Sequence, residues 1–508
     1  MDESDLREER RRFAALQARL PALYERVFEN PREPRTVVVV PSLSMDAKVL
    51  AKITGVQHYE ERLLCLLMLL RLPRTRVVLV TSQPVHPSII DYYLHLLPGV
   101  PASHARARLT LLSAHDASSV PLTQKILARP RLLERLKAAI PDPATTHLTC
   151  FNATGLERTL AVKLGVPLYA CDPELNALGS KSGSRKVFRE AGVALPDGFE
   201  DLRDEGDVVS ALYALKRRHP TLERAAIKLN EGASGEGNAV FAFGDCPPKG
   251  SRAWIRRELP RKLRFEAPGE RYEHFFAQFA AMGGVVESWI EGAQKRSPSV
   301  QCRINPVGQV HLVSTHDQVL GGPSGQIYLG ASFPADAAYR CDIQAAGLRI
   351  GEVLRSRGAL GRFGVDFVSV QAGERWRHLA IEINLRKGGT THPFMMLQFL
   401  TDGVYDAATG LYLTPTGEPR YYYTSDNLQS PSYRGFSPDD LIDISVYHGL
   451  HFHGAEQQGV VFHLIGALSE FGKLGVVCLA DSPQGAQRRY AETVAVLDRE
   501  TRARAPTS

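Results

Sequence analysis

Apolar residues at the start of the chain recur at steps of three, four and seven: Leu6, Phe13, Leu16, Leu20, Leu23 and Val27. They share one stripe, which predicts an amphipathic helix of about 25 residues within 1–35. Such a stripe docks on the body of the protein or pairs two protomers in a homodimer. A β-branched run follows, TVVVVPS at 36–42, then a helical pattern through residue 72, a strand RVVLVTS at 76–82 and a helix from about Ser88. Continuous apolar strands alternating with helices predict a parallel sheet buried on both faces. RLTLLSA, THLTCFN and VPLYACD read as further strands, so 36–172 is expected to form a Rossmann-like α/β layer. No GxGxxG follows its first strand, and the layer is assigned no dinucleotide.

From Asp172 to about residue 412 the pattern becomes strand-rich α+β with glycine-rich punctuation. A Pro/Gly cluster, TPTGEPR at 414–420, then leads into a small C-terminal domain, 413–508, whose last residues TRARAPTS are expected to fray.

Composition narrows the partners. Lys and Arg number 61 against 55 Asp and Glu, an excess too small and dispersed for a nucleic-acid surface but suited to small anions. The longest apolar run, LLCLLMLL at 63–70, is far too short for a bilayer and reads as a buried helix, so no membrane partner is expected. The opening MDESDLREERRRF carries both signs of charge and fits neither a secretory nor a transit signal. Seven scattered cysteines without a CxxC pair suit a reducing compartment, and a cytoplasmic location is expected. His448, His451, His453 and His463 lack further ligands at zinc spacing and read as surface or substrate-contact residues. No G-x-S-x-G elbow supports a serine hydrolase.

The candidate chemistry lies in AIEINLRKGGTTHP, 380–393. On a strand, Glu382 and Asn384 share a face while Ile381, Ile383 and Leu385 turn to a core. Upstream, GRFGVDFVSV at 361–370 places Asp366 among apolar residues, and the turn QAGERW makes the two strands an antiparallel pair. Asp366, Glu382 and Asn384 then converge as hard oxygen ligands suited to magnesium. On these residues alone, a carboxylate network closed by Arg362 and Arg386 fits equally well. A second set of residues favours the metal site. AAIKLNEGASGEGNAVFAF at 225–243 puts Lys228 at a strand end before a loop containing Gly232, Ser234, Gly235 and Gly237, where backbone amides can cradle phosphate oxygens. GSKSGSRKVFREAGVALPDG at 179–198 starts a helix with Lys181 at its mouth, and GGVVESWIEG at 283–292 is a strand carrying Glu287.

In this order, these elements resemble the ATP-grasp superfamily. More of the chain, including PSLSMD, SPSVQCRINPVGQVHLVSTHDQVLGG, YLGASFPA, YYTSDNL and GVVFHLIGALSEFGKLGVVCLADSP, resembles the pheganomycin-type peptide ligases. The resemblance implies a pre-ATP-grasp domain at 36–172, a two-lobed ATP-grasp core at 173–412 with its small lobe at about 195–286, and the C-terminal domain. It implies ATP and Mg2+, and amide-bond formation between a small-molecule carboxylate and a peptide or amino-acid amine through an acylphosphate, in specialised metabolism. Lys181 and Lys228 would contact phosphates; Glu287 with the backbone of Ser288 and Ile290 would hold adenine. Asp366, Glu382 and Asn384 would bind magnesium, and Arg386 would steady the acylphosphate. The ribose-binding position is open, with Gln294 at the expected place and Glu291 nearby. Arg303, His316, Gln318, Lys387 and His392 are candidates for gripping the acyl donor or the peptide. Two other readings stay open: a ligase of two free amino acids, and a nucleotide-binding regulatory or scaffold protein without catalysis.

Overall fold

Four apolar runs form parallel strands, β1 (Arg35–Val40), β2 (Thr75–Thr81), β3 (Leu109–Ser113) and β4 (Thr146–Cys150), in the order β3-β2-β1-β4. In this computed structural model, residues 3–28, 30–232, 237–267, 269–321 and 327–504 are described. The valines of β1 alternate between two cores. Val38 and Val40 pack with Leu132, Leu136 and Leu160, while Val37 and Val39 pack with Leu63, Leu67 and Ile89. Burial on both faces is what removes polar alternation from a parallel strand. LLCLLMLL lies in a 3-10 helix, Val56–Arg71, wedged between this sheet and the helix Thr391–Thr401, with Cys65 and Met68 fully buried.

Two expectations change here. VPLYACD forms only an isolated bridge, Leu148 to Leu168, because Pro167 has no N–H to extend the ladder. The opening helix is two helices, Glu3–Gln17 and Leu20–Phe28, since Pro21 cannot donate to the carbonyl four residues back. Phe13, Leu20, Leu23 and Val27 are buried against the chain's own body, so most of the stripe takes the first of its two expected roles and docks within the chain.

One buried acid makes this layer pH-sensitive. Glu60 accepts hydrogen bonds from the backbone N–H and hydroxyl of Ser82, both at 2.6 Å. Burial nonetheless pushes its carboxyl up to about 7. Its proton is therefore held more tightly in the folded than in the unfolded state, and this site's stabilisation fades as pH rises from the ordinary carboxylate range through about 7. Glu60→Gln is expected to flatten that part of the Tm-against-pH curve, by a few kcal/mol across the window. An unchanged slope would show that Glu60 is ionised at all these pH values.

The small lobe is an antiparallel sheet of β5 (Gly198–Leu202), β6 (Arg224–Leu229), β7 (Asn238–Ala242), β8 (Leu263–Phe265) and β9 (Gly284–Ser288), ordered β5-β9-β6-β7-β8. Helices Glu205–Arg218, Ser251–Lys262 and Tyr272–Met282 cover it through Leu212, Ile255, Phe275 and Phe279. The remaining strands among the described residues form one large sheet. They are β10 (Lys295–Arg296), β11 (Pro298–Ile304), β12 (Val310–Gly321), β13 (Ile327–Phe333), β14 (Gly361–Ala372), β15 (Arg375–Asn384), β16 (Val404–Asp406), β17 (Leu411–Leu413), β18 (Pro419–Gln429), β19 (Gly459–His463) and β20 (Lys473–Ala480). The C-terminal segment is continuous with this sheet: β18 pairs with β13 on one side and β20 on the other. The cleft between the two lobes holds the candidate site.

Candidate active site

β14 and β15 form the expected hairpin, with Asp366 opposite Glu382 and Gly364 opposite Asn384. Gln318 Nε2 donates to Asp366 Oδ1 at 2.8 Å and Asn384 Nδ2 to Oδ2 at 2.9 Å. Burial and the neighbouring Glu382 push the Asp366 carboxyl up to about 6. Two acids thus crowd one spot with less cationic charge than they need. Gly364 keeps the floor open, since a Cβ there would meet the Gln301 amide at 2.7 Å. A bulge follows Asp366, leaving Ile381 without a partner and turning it to the cleft beside Glu382 instead of to the core with Ile383.

The cations come from two other elements. Ser180 caps the helix Lys181–Glu190 by accepting from the Gly183 N–H, and Gly183 is required because a Cβ would collide with the Ala177 carbonyl oxygen. The Ser184 hydroxyl accepts from the Ile383 N–H at 3.0 Å and pins this helix to β15, and Lys181 forms an ion pair with Glu382. On β6, Lys228 donates to Glu287 Oε2 at 2.8 Å, and Arg185 donates to Glu287 Oε1 at 2.6 Å. Burial alone would raise the Glu287 carboxyl, but the two cations hold it below its ordinary value.

Two cavities meet at the acidic residues. The first, about 280 Å³, is lined by Arg62, Gly232, Gln301, Tyr328, Arg386 and Asp426 among others. The second, about 320 Å³, runs between the lobes past Lys228, Glu287, Ser288, Trp289, Ile290 and Lys295. Lys181, Asn238, Gln318, Asp366 and Glu382 line both. Gly237 turns with φ +88°; Ser234 and Gly235 lie outside the described residues.

Other candidates sit elsewhere. Gln294 is exposed and lines neither cavity, and Glu291 is bonded to Arg224. His316 is wholly buried on the Tyr422 hydroxyl, and His392, its ring tilted against that of His463, contacts the Arg62 carbonyl oxygen at 3.0 Å. Neither histidine reaches the cleft: a lone histidine in an apolar pattern gives no sign of whether its ring is buried. Arg303 and Lys387 line a separate cavity. Four residues that do shape the cleft carry no local signal of that role. Arg185 looks like one more charge on an amphipathic helix, and its partner is 102 positions away. Lys295 reaches over the Trp289 ring and donates to the Ile290 carbonyl oxygen at 3.0 Å. Arg62 and Asp426, paired at 3.0 Å, come from the first layer and from β18.

Among the described residues no three His, Cys, Asp or Glu side chains form a metal cage. Two carboxylates with an amide are instead a partial oxygen set, which suits a cation that retains water and bound phosphate.

Comparison with known proteins agrees with this geometry. The profile of the family described as IQCH-like, ATP-grasp matches residues 173–266 and 266–408, and that of the PGM1 C-terminal domain matches 440–493. The L-propargylglycine–L-glutamate ligase of Streptantibioticus cattleyicolor is 34% identical over 467 residues, covering 89% of this chain and 92% of that protein. IQ motif-containing protein H of Danio rerio is 23% identical over 519 residues, covering 92% of this chain, which spans 48% of that longer protein. The biotin carboxylase–β,γ-ATP complex from Campylobacter jejuni shares the fold at a TM-score of 0.54 and 13% identity, covering 94% of this chain and 96% of that one. The biotin carboxylase domain of Hydrogenobacter thermophilus 2-oxoglutarate carboxylase, solved with MgADP, ADP and bicarbonate, does so at 0.54 and 12%, covering 90% of this chain and 89% of that one. With near full-length kinship to an amino-acid ligase and a matching core profile, the chain belongs to the ATP-grasp superfamily.

Proposed function

We propose that the chain is an ATP-dependent carboxylate–amine ligase that forms an amide bond between two amino acids, or between an amino acid and a peptide, through an acylphosphate. The observation that carries this reading is the meeting of the two cavities at Asp366, Glu382 and Lys181. A nucleotide lying between the lobes would direct its terminal phosphate to the place where a carboxylate in the other cavity can attack it. The second cavity offers the Trp289 and Ile290 segment to a purine, while Lys228 and Lys181 lie along the path of the phosphates. The relative named as joining L-propargylglycine and L-glutamate supports amino acids on both sides of the bond.

The donor set fits Mg2+. Asp366 and Glu382 supply two carboxylates, Lys181 already neutralises one of them, and the Asn384 amide, with Nδ2 committed to Asp366, has Oδ1 left to coordinate. Bound there, the ion would neutralise charge on the transferring phosphoryl group. Arg386, half-buried and with its pKa lowered by desolvation, lines the first cavity and would give planar donors to oxyanions that develop as the amine attacks. Asp426, at the far wall, would hold the acceptor's ammonium group, which must lose a proton to water before it attacks as the free amine; the Asp426 carboxylate is kept ionised down to about 2, despite its burial, by Arg62 and His463.

The test is ADP release with pooled amino acids and short peptides, with products read by mass spectrometry. The expected result is turnover that needs both a carboxylate and an amine and yields a dipeptide or an extended peptide. Nucleotide binding without turnover on any pool would favour the regulatory reading.

A further inference from the structure

A third cavity, about 260 Å³, lies between the Rossmann-like sheet and the large sheet and shares no lining residue with the two in the cleft. Arg35 enters it from β1, Arg303 from β11, Arg362 from β14 and Lys387 from the segment after β15. Among the described residues no aspartate or glutamate lines it, and Arg303, Arg362 and Lys387 take part in no ion pair. Arg303 and Arg362 stand directly opposite each other on antiparallel strands, an arrangement that is destabilising for like charges. The Arg303 Nε is buried with no hydrogen-bond acceptor, and Lys387 reaches only the Thr149 hydroxyl at 2.9 Å and the Cys150 carbonyl oxygen at 2.6 Å. Three such cations, Arg303, Arg362 and Lys387, gathered under cover without counter-charge are expensive in an interior and ordinary in a binding site.

We propose that this cavity is a second ligand site that takes a small dianionic oxyanion, a dicarboxylate or a phosphate monoester, with Arg303, Arg362 and Lys387 as its grip. Fork-shaped guanidinium groups from neighbouring strands suit paired oxygens, and Leu66, Leu69 and Phe399 leave an apolar wall for a short carbon chain. Burial lowers Arg362 to about 10 and Lys387 to about 8, with neighbouring cations adding to the effect, and holds His147 near 3. The site adjoins the cleft without being part of it, because Arg386 lines the cleft and the next residue, Lys387, lines this cavity.

The test uses the full chain without ATP. Thermal shift and calorimetry are run with glutarate, with glycerol phosphate, and with acetate and glutaramide as singly charged and neutral controls. One or both dianions are expected to raise Tm and bind while the controls do not, and the tighter of the two identifies the source. In Arg362→Met, and separately in Arg303→Met, dianion affinity should fall about tenfold or more, with the Tm of the unliganded protein unchanged or raised by relief of repulsion. Wild-type protein that binds neither dianion overturns the proposal, as does equal binding by both variants. A Tm that falls in both unliganded variants, with no dianion effect in the wild type, would make the guanidinium groups structural.

Discussion

On the proposed mechanism, Glu382→Gln is expected to lower ATP-dependent ligation by about a thousandfold or more, with the folded protein left intact, because one of the two carboxylates proposed to seat the phosphate-bound cation is lost. The substitution keeps shape and hydrogen bonding at a side chain that is 27% exposed, so little packing changes. Two electrostatic effects follow. Lys181 loses its ionic partner, and Asp366 loses the neighbour that helps keep its carboxyl high, so the Asp366 carboxyl titrates at lower pH in the variant. Neither restores the missing charge. ADP release measured over a range of Mg2+ concentrations checks this: the loss persists at high Mg2+, and circular dichroism and Tm match the parent. Wild-type turnover in this variant would remove Glu382 from the metal site and, with it, the mechanism.

Glu287→Ala acts on stability. The carboxylate is 3% exposed, and each oxygen receives a separate cation, Lys228 at 2.8 Å and Arg185 at 2.6 Å. Removing it leaves two buried positive charges facing one another, and breaking a buried pair in this way costs about 3–5 kcal/mol. Arg185 retains Glu200 at 3.0 Å, so the charge left without a partner is mainly Lys228. Lys228→Met with Glu287→Gln should therefore recover much of the loss, although the proposed phosphate contact of Lys228 would then be gone. The denaturation midpoint and the nucleotide affinity, read together, separate the two roles. An unchanged midpoint with lost affinity would make Glu287 a ligand contact before a structural one.

The hairpin that brings Asp366 beside Glu382 was legible because alternation on two strands and a short turn are local signals. So was the position of Lys181 at a helix mouth, where Ser180 and the glycines mark the start. Ile381 was misread because a bulge breaks the two-residue period at that point and leaves no trace in composition. Arg62, Arg185 and Asp426 are the harder class. The contacts that set them at the cleft, Arg62 with Asp426 and Arg185 with Glu287, span 364 and 102 positions, and nothing local separates a charge that closes a cleft from one that faces water. The branched sheet was equally hidden: a Pro/Gly cluster at 414–420 reads as a boundary, yet the strand that follows is threaded between β13 and β20.

That interior strand limits how such a protein can diversify. A crossover near 414–420 that grafted on a foreign tail would expose the edge of β13 and remove Asp426 from the acceptor wall in a single event. Exchanging the terminal segment as a unit would therefore break the sheet that frames the cleft, whereas single-residue changes around the cleft leave that frame whole.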